Sequence, residues 1–238
     1  MTADLDRFAA ALFERYARLT FDGLGAALAW EEAFWREAAE GEAVLWTVGE
    51  PGLVAPRAYA ISAGFDRASQ CSAQRGWPVH VRQTGGGCVP QGPGVLNVSW
   101  LAPAALAATG VEAVYLALTG RIIRACSAVG LEACIHSPVD AWCRGRFDVA
   151  VDGRKVAGVS QRRRSAPACR AMAHAAIFID VDIEAGLEAV RQLCADLGRT
   201  DLPTARAATN LRDSQLTAMD VAPKVVRPQS ASRPIINV

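Results

Sequence analysis

Residues 147–151 and 154–161 are two β-rich runs joined by the dipeptide Asp152-Gly153. Asp-Gly accepts positive φ, so it closes a two-residue antiparallel hairpin whose twist suits the strands on either side. The pairing of these two runs is therefore set locally, and any fold must be built around an antiparallel ladder at this point. The hairpin also carries Lys155, one of two lysines in the chain, the other being Lys224. Gly158 follows three residues later, where a missing side chain permits close approach of another group.

The remaining patterns mix helices and strands without regular alternation. Residues 5–19, 24–40, 67–74, 111–130 and 183–197 show helical spacing of apolar positions. Residues 43–48, 59–61, 78–83, 95–101, 131–136 and 173–179 read as strands, and the stretch around Pro51, Gly52 and Pro56 as a loop. This predicts an α+β fold, with a mixed and largely antiparallel sheet flanked by helices. A single catalytic domain over residues 1–221 with an extended tail over 222–238 is the simplest partition.

Charge and cysteine usage exclude several functions. A net charge of +1 gives no basic field for nucleic acid. No apolar run approaches the roughly 20 residues of a membrane span. The N-terminal twenty residues carry acids and lack a secretory apolar core. Seven cysteines are scattered with no C-x-x-C, which disfavours a zinc site or a disulfide framework and suits a reducing cytoplasm.

Arg82-Gln83-Thr84-Gly85-Gly86-Gly87-Cys88-Val89 follows a predicted strand. Three glycines expose backbone N–H groups to a ligand, and Arg82 adds a charged fork for a phosphate or carboxylate; a flexible hairpin loop is the bland alternative. No Gly-Lys-Ser/Thr follows, so it is not a P-loop. Cys143 precedes Arg144 and Arg146, and Cys134 is followed by His136; either thiol is a candidate nucleophile beside positive charge. The basic run Arg162-Arg163-Arg164 reads first as a solvated loop and second as a patch that steers an acidic protein.

In these segments the chain resembles the biotin/lipoate protein ligase and octanoyltransferase superfamily, over roughly residues 25–215. RQTGGGCV resembles the family's R-x-x-G-G-G-x-V loop, and GVLNVSW the strand after it. DVAVDGRKVAGVSQRRR resembles the lysine signature, MAHAAIFIDVD the later histidine strand, and ATNLRDSQL the helix start closing the catalytic domain. The resemblance implies a class II biotin synthetase/lipoate ligase-like fold with a tunnel for a lipoyl or octanoyl chain. It implies that Lys155 holds either the acyl carbonyl, stabilising an oxyanion, or the phosphate of an acyl-adenylate. It places Arg82, Gly85, Gly86, Gly87, Gln91, Asn97, Gly158 and His174 around the substrate. Gln91 departs from the family, where a histidine often stands. Cys143 matches the amidotransferase pattern C-x-G-x-[YF]-D-x-x-x-D-G-[RK]-K in register, and Cys134 matches the A-C-[FI]-x-x-P setting of another octanoyltransferase branch.

The implied activity is transfer of an octanoyl or lipoyl group, through a cysteine thioester, to a lysine of a lipoyl domain. Implied partners are the glycine cleavage H protein, 2-oxoacid dehydrogenase acyltransferase subunits and acyl carrier protein. No metal or cofactor is needed for that reaction. The alternatives are a lipoate ligase working through lipoyl-adenylate, which needs ATP and magnesium, and a non-catalytic acyl- or lipoyl-domain-binding protein.

Overall fold

The computed structural model describes residues 3–165, 168–199 and 207–212. Its centre is a strand whose seven residues are all buried, Val95–Leu101 (β6). Apolar side chains leave both faces of this strand. Leu96, Val98 and Trp100 enter one core, and Leu101 enters a second on the opposite face. A strand covered on both sides reads as a continuous apolar run, which is why VLNVSWL shows little alternation.

β6 pairs antiparallel with Ala43–Val48 (β2) on one side and Arg170–Phe178 (β10) on the other. Outside β10 lie Arg154–Arg164 (β9), Val149–Val151 (β8) and Ala133–Ile135 (β7), all antiparallel. Outside β2 lies Ala17–Phe21 (β1), parallel to it. The seven-stranded order is β1-β2-β6-β10-β9-β8-β7. The predicted hairpin joins β8 to β9, with φ of 49° at Asp152 and 71° at Gly153. The fold is α+β on a mixed, mostly antiparallel sheet, as the patterning predicts.

Ala3–Leu12 (α1), Ala104–Thr109 (α5) and Val111–Ala128 (α6) cover one face through Phe8, Leu12, Ala107, Leu118 and Ile122. Leu24–Glu37 (α2) covers part of the other with Leu24, Ala27, Phe34 and Trp35. A second sheet stands apart, ordered β4-β3-β5 from Val79–Arg82, Gly52–Pro56 and Val89–Gln91. Phe65–Gln74 (α4) and Ile183–Asp196 (α7) pack on it through Ala68, Val190 and Leu193.

Several expectations fail locally. The first helix ends at Leu12, and residues 17–21 form a strand instead. Phe8, Leu12 and Phe13 satisfy helical spacing, but the parallel partner β2 is distant in sequence and claims the rest. The stretch read as a loop is β3, the centre of the small sheet. Gly52 suits the close packing there: a Cβ would lie 2.7 Å from Leu24 Cδ1 of α2 and 3.0 Å from the Pro78 carbonyl oxygen. The strand expected at 59–61 is instead a short helix, Arg57–Ala60 (α3), starting just after Pro56. Strand β5 and helix α5 were not predicted. Arg162 is no free steering charge: it lies over Trp35 and donates to Glu32 Oε2 at 2.5 Å. The tail expected from residue 222, and most of the closing segment, fall outside the described residues.

Candidate active site

The glycine loop follows β4 and faces the loop that precedes β8. Arg82 organises the first loop. Its Nη2 donates to the Gly85 and Gly87 carbonyls at 2.9 and 2.8 Å, and its Nη1 to Val54 O at 3.1 Å. With these carbonyls bonded to Arg82, the Gly87 N–H turns the other way and donates to Cys143 Sγ at 3.1 Å. Arg82 Nη2 is also 3.7 Å from that sulfur. A backbone donor and a guanidinium thus both face the Cys143 sulfur. Two of the three glycines face the nucleophile closely: a Cβ on Gly86, at φ 106°, would be 2.9 Å from Cys143 Sγ, and one on Gly87 3.1 Å from Cys143 Cα, whereas a Cβ on Gly85 would meet open space.

Cys143 itself has φ 45°, one of two non-glycine residues with positive φ among those described. Holding a side chain there costs about 1–3 kcal/mol, and such strain gathers at functional positions. Lys155 holds it. Its Nζ donates to the Cys143 carbonyl at 2.9 Å and the Trp142 carbonyl at 3.1 Å, and pairs with Asp148 Oδ2 at 2.9 Å. The ammonium thus has three acceptors for three N–H groups. Both side chains are almost wholly buried, at 2% and 1% exposure. Burial pushes the Asp148 carboxyl above its ordinary value, and Lys155, the Gly145 N–H and Ser137 only partly offset this. Gly158 makes room for the lysine, since a Cβ there would lie 3.1 Å from Nζ.

A second network ties the glycine loop to the main sheet. Thr84 Oγ1 and His174 Nε2 are 3.4 Å apart, and His174 Nδ1 is 3.4 Å from Glu31 Oε1. Ser99 donates to the same carboxylate oxygen at 2.5 Å and accepts from Trp46 Nε1 at 2.9 Å. Burial alone would raise the Glu31 carboxyl, but His174, Ser99 and Arg82 together hold it below its ordinary value.

A cleft of about 480 Å³ opens beside Cys143. Tyr59, Gly87, Cys88, Asp140, Trp142 and Cys143 are among the residues that line it. Trp142 is packed on Phe178, with ring centroids 5.1 Å apart. Burial pushes the Cys88 thiol up, so it stays protonated beside the better-placed Cys143.

The structure therefore brings together Arg82, the three glycines, Cys143, Lys155 and Gly158, and connects His174 to them through Thr84. It treats the other predicted residues differently. Cys134 is exposed on edge strand β7, opposite Ala150, and is not among the cleft-lining residues. Gln91 and Asn97 form a reciprocal buried amide pair at 3.0 and 2.9 Å, linking β5 to β6. Asp148, Thr84, Glu31 and Asp140 are the residues that sequence reasoning missed. Glu31 carried a signal, an acid on the same helical face as Leu24, Ala27, Phe34 and Trp35. No group of three or more His, Cys, Asp or Glu suited to a metal occurs among the described residues.

Solved lipoate-protein ligases share this fold. The structure of lipoate-protein ligase A bound with ATP superposes with a TM-score of 0.65 at 17% identity, covering 86% of this chain and 79% of that one. Ta0514 of T. acidophilum, a putative lipoate protein ligase with bound lipoic acid, gives 0.61 at 17% identity over 86% and 79%. In sequence, the chain is 39% identical to an uncharacterised protein of Cupriavidus necator over 55% of this chain and 54% of that protein. It is 32% identical to an octanoyl-[GcvH]:protein N-octanoyltransferase of Kyrpidia tusciae over 59% and 50%. It is 36% identical to a lipoyl-[GcvH]:protein N-lipoyltransferase of Listeria monocytogenes over 42% and 36%. The chain spans about half the length of the first two of these relatives and 36% of the third. The family model of the lipoyl protein ligase A/B catalytic domain matches residues 25–227. With its core strands, its glycine loop and its buried lysine inside that match, the chain belongs to the lipoyl protein ligase A/B catalytic domain family.

Proposed function

We propose that the chain is an acyltransferase of protein lipoylation, moving an octanoyl or lipoyl group through a thioester on Cys143 to a lysine of a lipoyl domain. The observation that carries this reading is the Cys143 sulfur, held at a strained backbone position between the Gly87 N–H and the Arg82 guanidinium. The transferase names of the relatives from Kyrpidia and Listeria support it.

The Cys143 thiolate attacks the acyl carbonyl of the donor, either an acylated glycine cleavage H protein or an acyl carrier protein. A C–S bond forms, the carbonyl oxygen takes the charge, and collapse expels the donor sulfur as a thiolate, or the donor nitrogen as an amine that takes its proton from solvent. The acyl-enzyme is then attacked by the acceptor lysine, a C–N bond replaces the C–S bond, and the thiol returns. Two easier steps replace one difficult transfer. Gly87 N–H, the donor nearest the sulfur, is placed to hold the oxyanion. Lys155, with its N–H groups engaged, holds the loop that presents the thiol. Neither step calls on ATP or a metal. All seven cysteines are free thiols, which fits a cytoplasmic setting. No described helix is long and apolar enough to cross a membrane.

The test is transfer from octanoylated H protein to an apo lipoyl domain without ATP. Transfer should proceed, should fall at least about a thousandfold in Cys143→Ser, and should persist in Cys134→Ser. Dependence on free lipoate, ATP and magnesium, with indifference to Cys143, would instead mean a ligase.

A further inference from the structure

A lysine ammonium has no lone pair with which to attack a thioester. Transfer to a lipoyl domain therefore needs a group at the cleft that takes a proton from the incoming amine. Resting on the thioester reading above, we propose that Asp140 is that group.

The neighbouring charged residues are already committed. Lys155 Nζ is turned to three partners, at 3.1, 2.9 and 2.9 Å, on the loop and on Asp148, and is almost wholly buried. Asp148 is sealed in the interior, its Oδ2 shared by the Lys155 ammonium and the Gly145 N–H. Among the residues lining the cleft, Asp140 is the one carboxylate, and the other charged side chains are Arg144 and Arg199, which only donate. Tyr59 and Cys88 also face the cleft, but burial keeps the proton on each.

Asp140 is open to the acceptor's side. It is exposed, and among the described residues no hydrogen bond or ion pair engages its carboxylate. It rides on the same loop as the nucleophile, three residues earlier. The Ala141 N–H closes a turn onto Pro138 O at 3.2 Å, and Lys155 grips the Trp142 and Cys143 carbonyls just beyond. The loop backbone that positions the thiol therefore also carries Asp140. Val139 beside it is 75% exposed and also lines the cleft. It offers apolar surface to the methylenes of a lysine whose ammonium meets Asp140.

In the proposed step, one proton of the ammonium passes to Asp140. The freed nitrogen attacks the acyl carbonyl, forming the C–N bond. The second proton leaves that nitrogen for the Cys143 sulfur as the C–S bond breaks, giving the amide and the free thiol. Asp140 returns its proton to solvent through the open cleft.

The test separates loading of Cys143 from discharge. Wild-type and Asp140→Asn proteins are octanoylated by octanoylated H protein, freed of donor, and mixed with an apo lipoyl domain or with hydroxylamine. Hydroxylamine is unprotonated at neutral pH and needs no base. The expected result is about tenfold to hundredfold slower discharge of Asp140→Asn to the lipoyl domain, unchanged discharge to hydroxylamine, and partial recovery in Asp140→Glu. Equal discharge of both proteins to the lipoyl domain would overturn the assignment. So would equal slowing toward both nucleophiles, which would mark a disturbed loop. Failure of the wild-type protein to form any acyl-enzyme would bring down the thioester reading, and the role of Asp140 with it.

Discussion

At the scale of single residues, the site is a contest between strain and electrostatics around Cys143. Its φ of 45° is held by hydrogen bonds at both ends of the loop: Gly87 N–H on the sulfur, and Lys155 on the two carbonyls. Lys155 can do this only because Asp148 balances its charge in the interior. Removing one partner of such a buried pair leaves an uncompensated charge, at a cost of about 3–5 kcal/mol. Lys155→Met should therefore destabilise by that amount in denaturant unfolding, and Asp148→Asn added to it should recover a large part. Simple addition of the two losses would mean that the residues act independently. The lysine was legible in the sequence, since it is nearly the only one in the chain and lies just past a hairpin turn. Its mode of action was not: the three acceptors come from Trp142, Cys143 and Asp148, and only the folded loop shows that they converge.

At the scale of elements, the nucleophile loop is clamped to α6. Tyr115 stacks on Phe147 with ring centroids 4.7 Å apart at 12°. Arg146 pairs with Glu112 at 2.8 Å, and Thr119 Oγ1 donates to Phe147 O at 3.3 Å. The ion pair is exposed and contributes little; the stack contributes about 0.5–1.5 kcal/mol beyond its buried area. Tyr115→Ala should thus lower acyl-enzyme formation severalfold, read as single-turnover loading of Cys143, while Tyr115→Phe keeps most of it. Equal loading in Tyr115→Ala would show that the loop does not need this clamp. Elements set by local chemistry were the readable ones. The Asp-Gly hairpin and α7, capped by Asp182 accepting from Ala185 N at 2.9 Å, follow from neighbouring residues. β1 and β3 were missed because their partners lie far along the chain, and because Gly52 is there for packing against Leu24, which resembles a loop signal in one dimension.

At the scale of the molecule, two sheets meet at the site, and the chain Trp46–Ser99–Glu31–His174–Thr84 is a polar connection between them. Glu31 is held below the ordinary glutamate value of 4.5. A carboxyl depressed in the folded state adds stability that is present above the unfolded value and is lost as pH falls through the folded one. Wild-type stability should therefore drop as pH falls below 4.5, and Glu31→Gln should show a shallower drop over the same window, measured by denaturant unfolding across a pH series. Parallel profiles would remove Glu31 from the account. The family resemblance led to the glycine loop and the lysine hairpin. It said nothing of this connection, whose members come from five elements or loops and share no motif.

Intact-protein mass spectrometry after mixing with octanoylated H protein, without ATP, tests the central claim most directly. The account predicts one octanoyl adduct, removed by hydroxylamine, absent in Cys143→Ser and kept in Cys134→Ser. An adduct that survives in Cys143→Ser, or none at all in the wild-type protein, would contradict it.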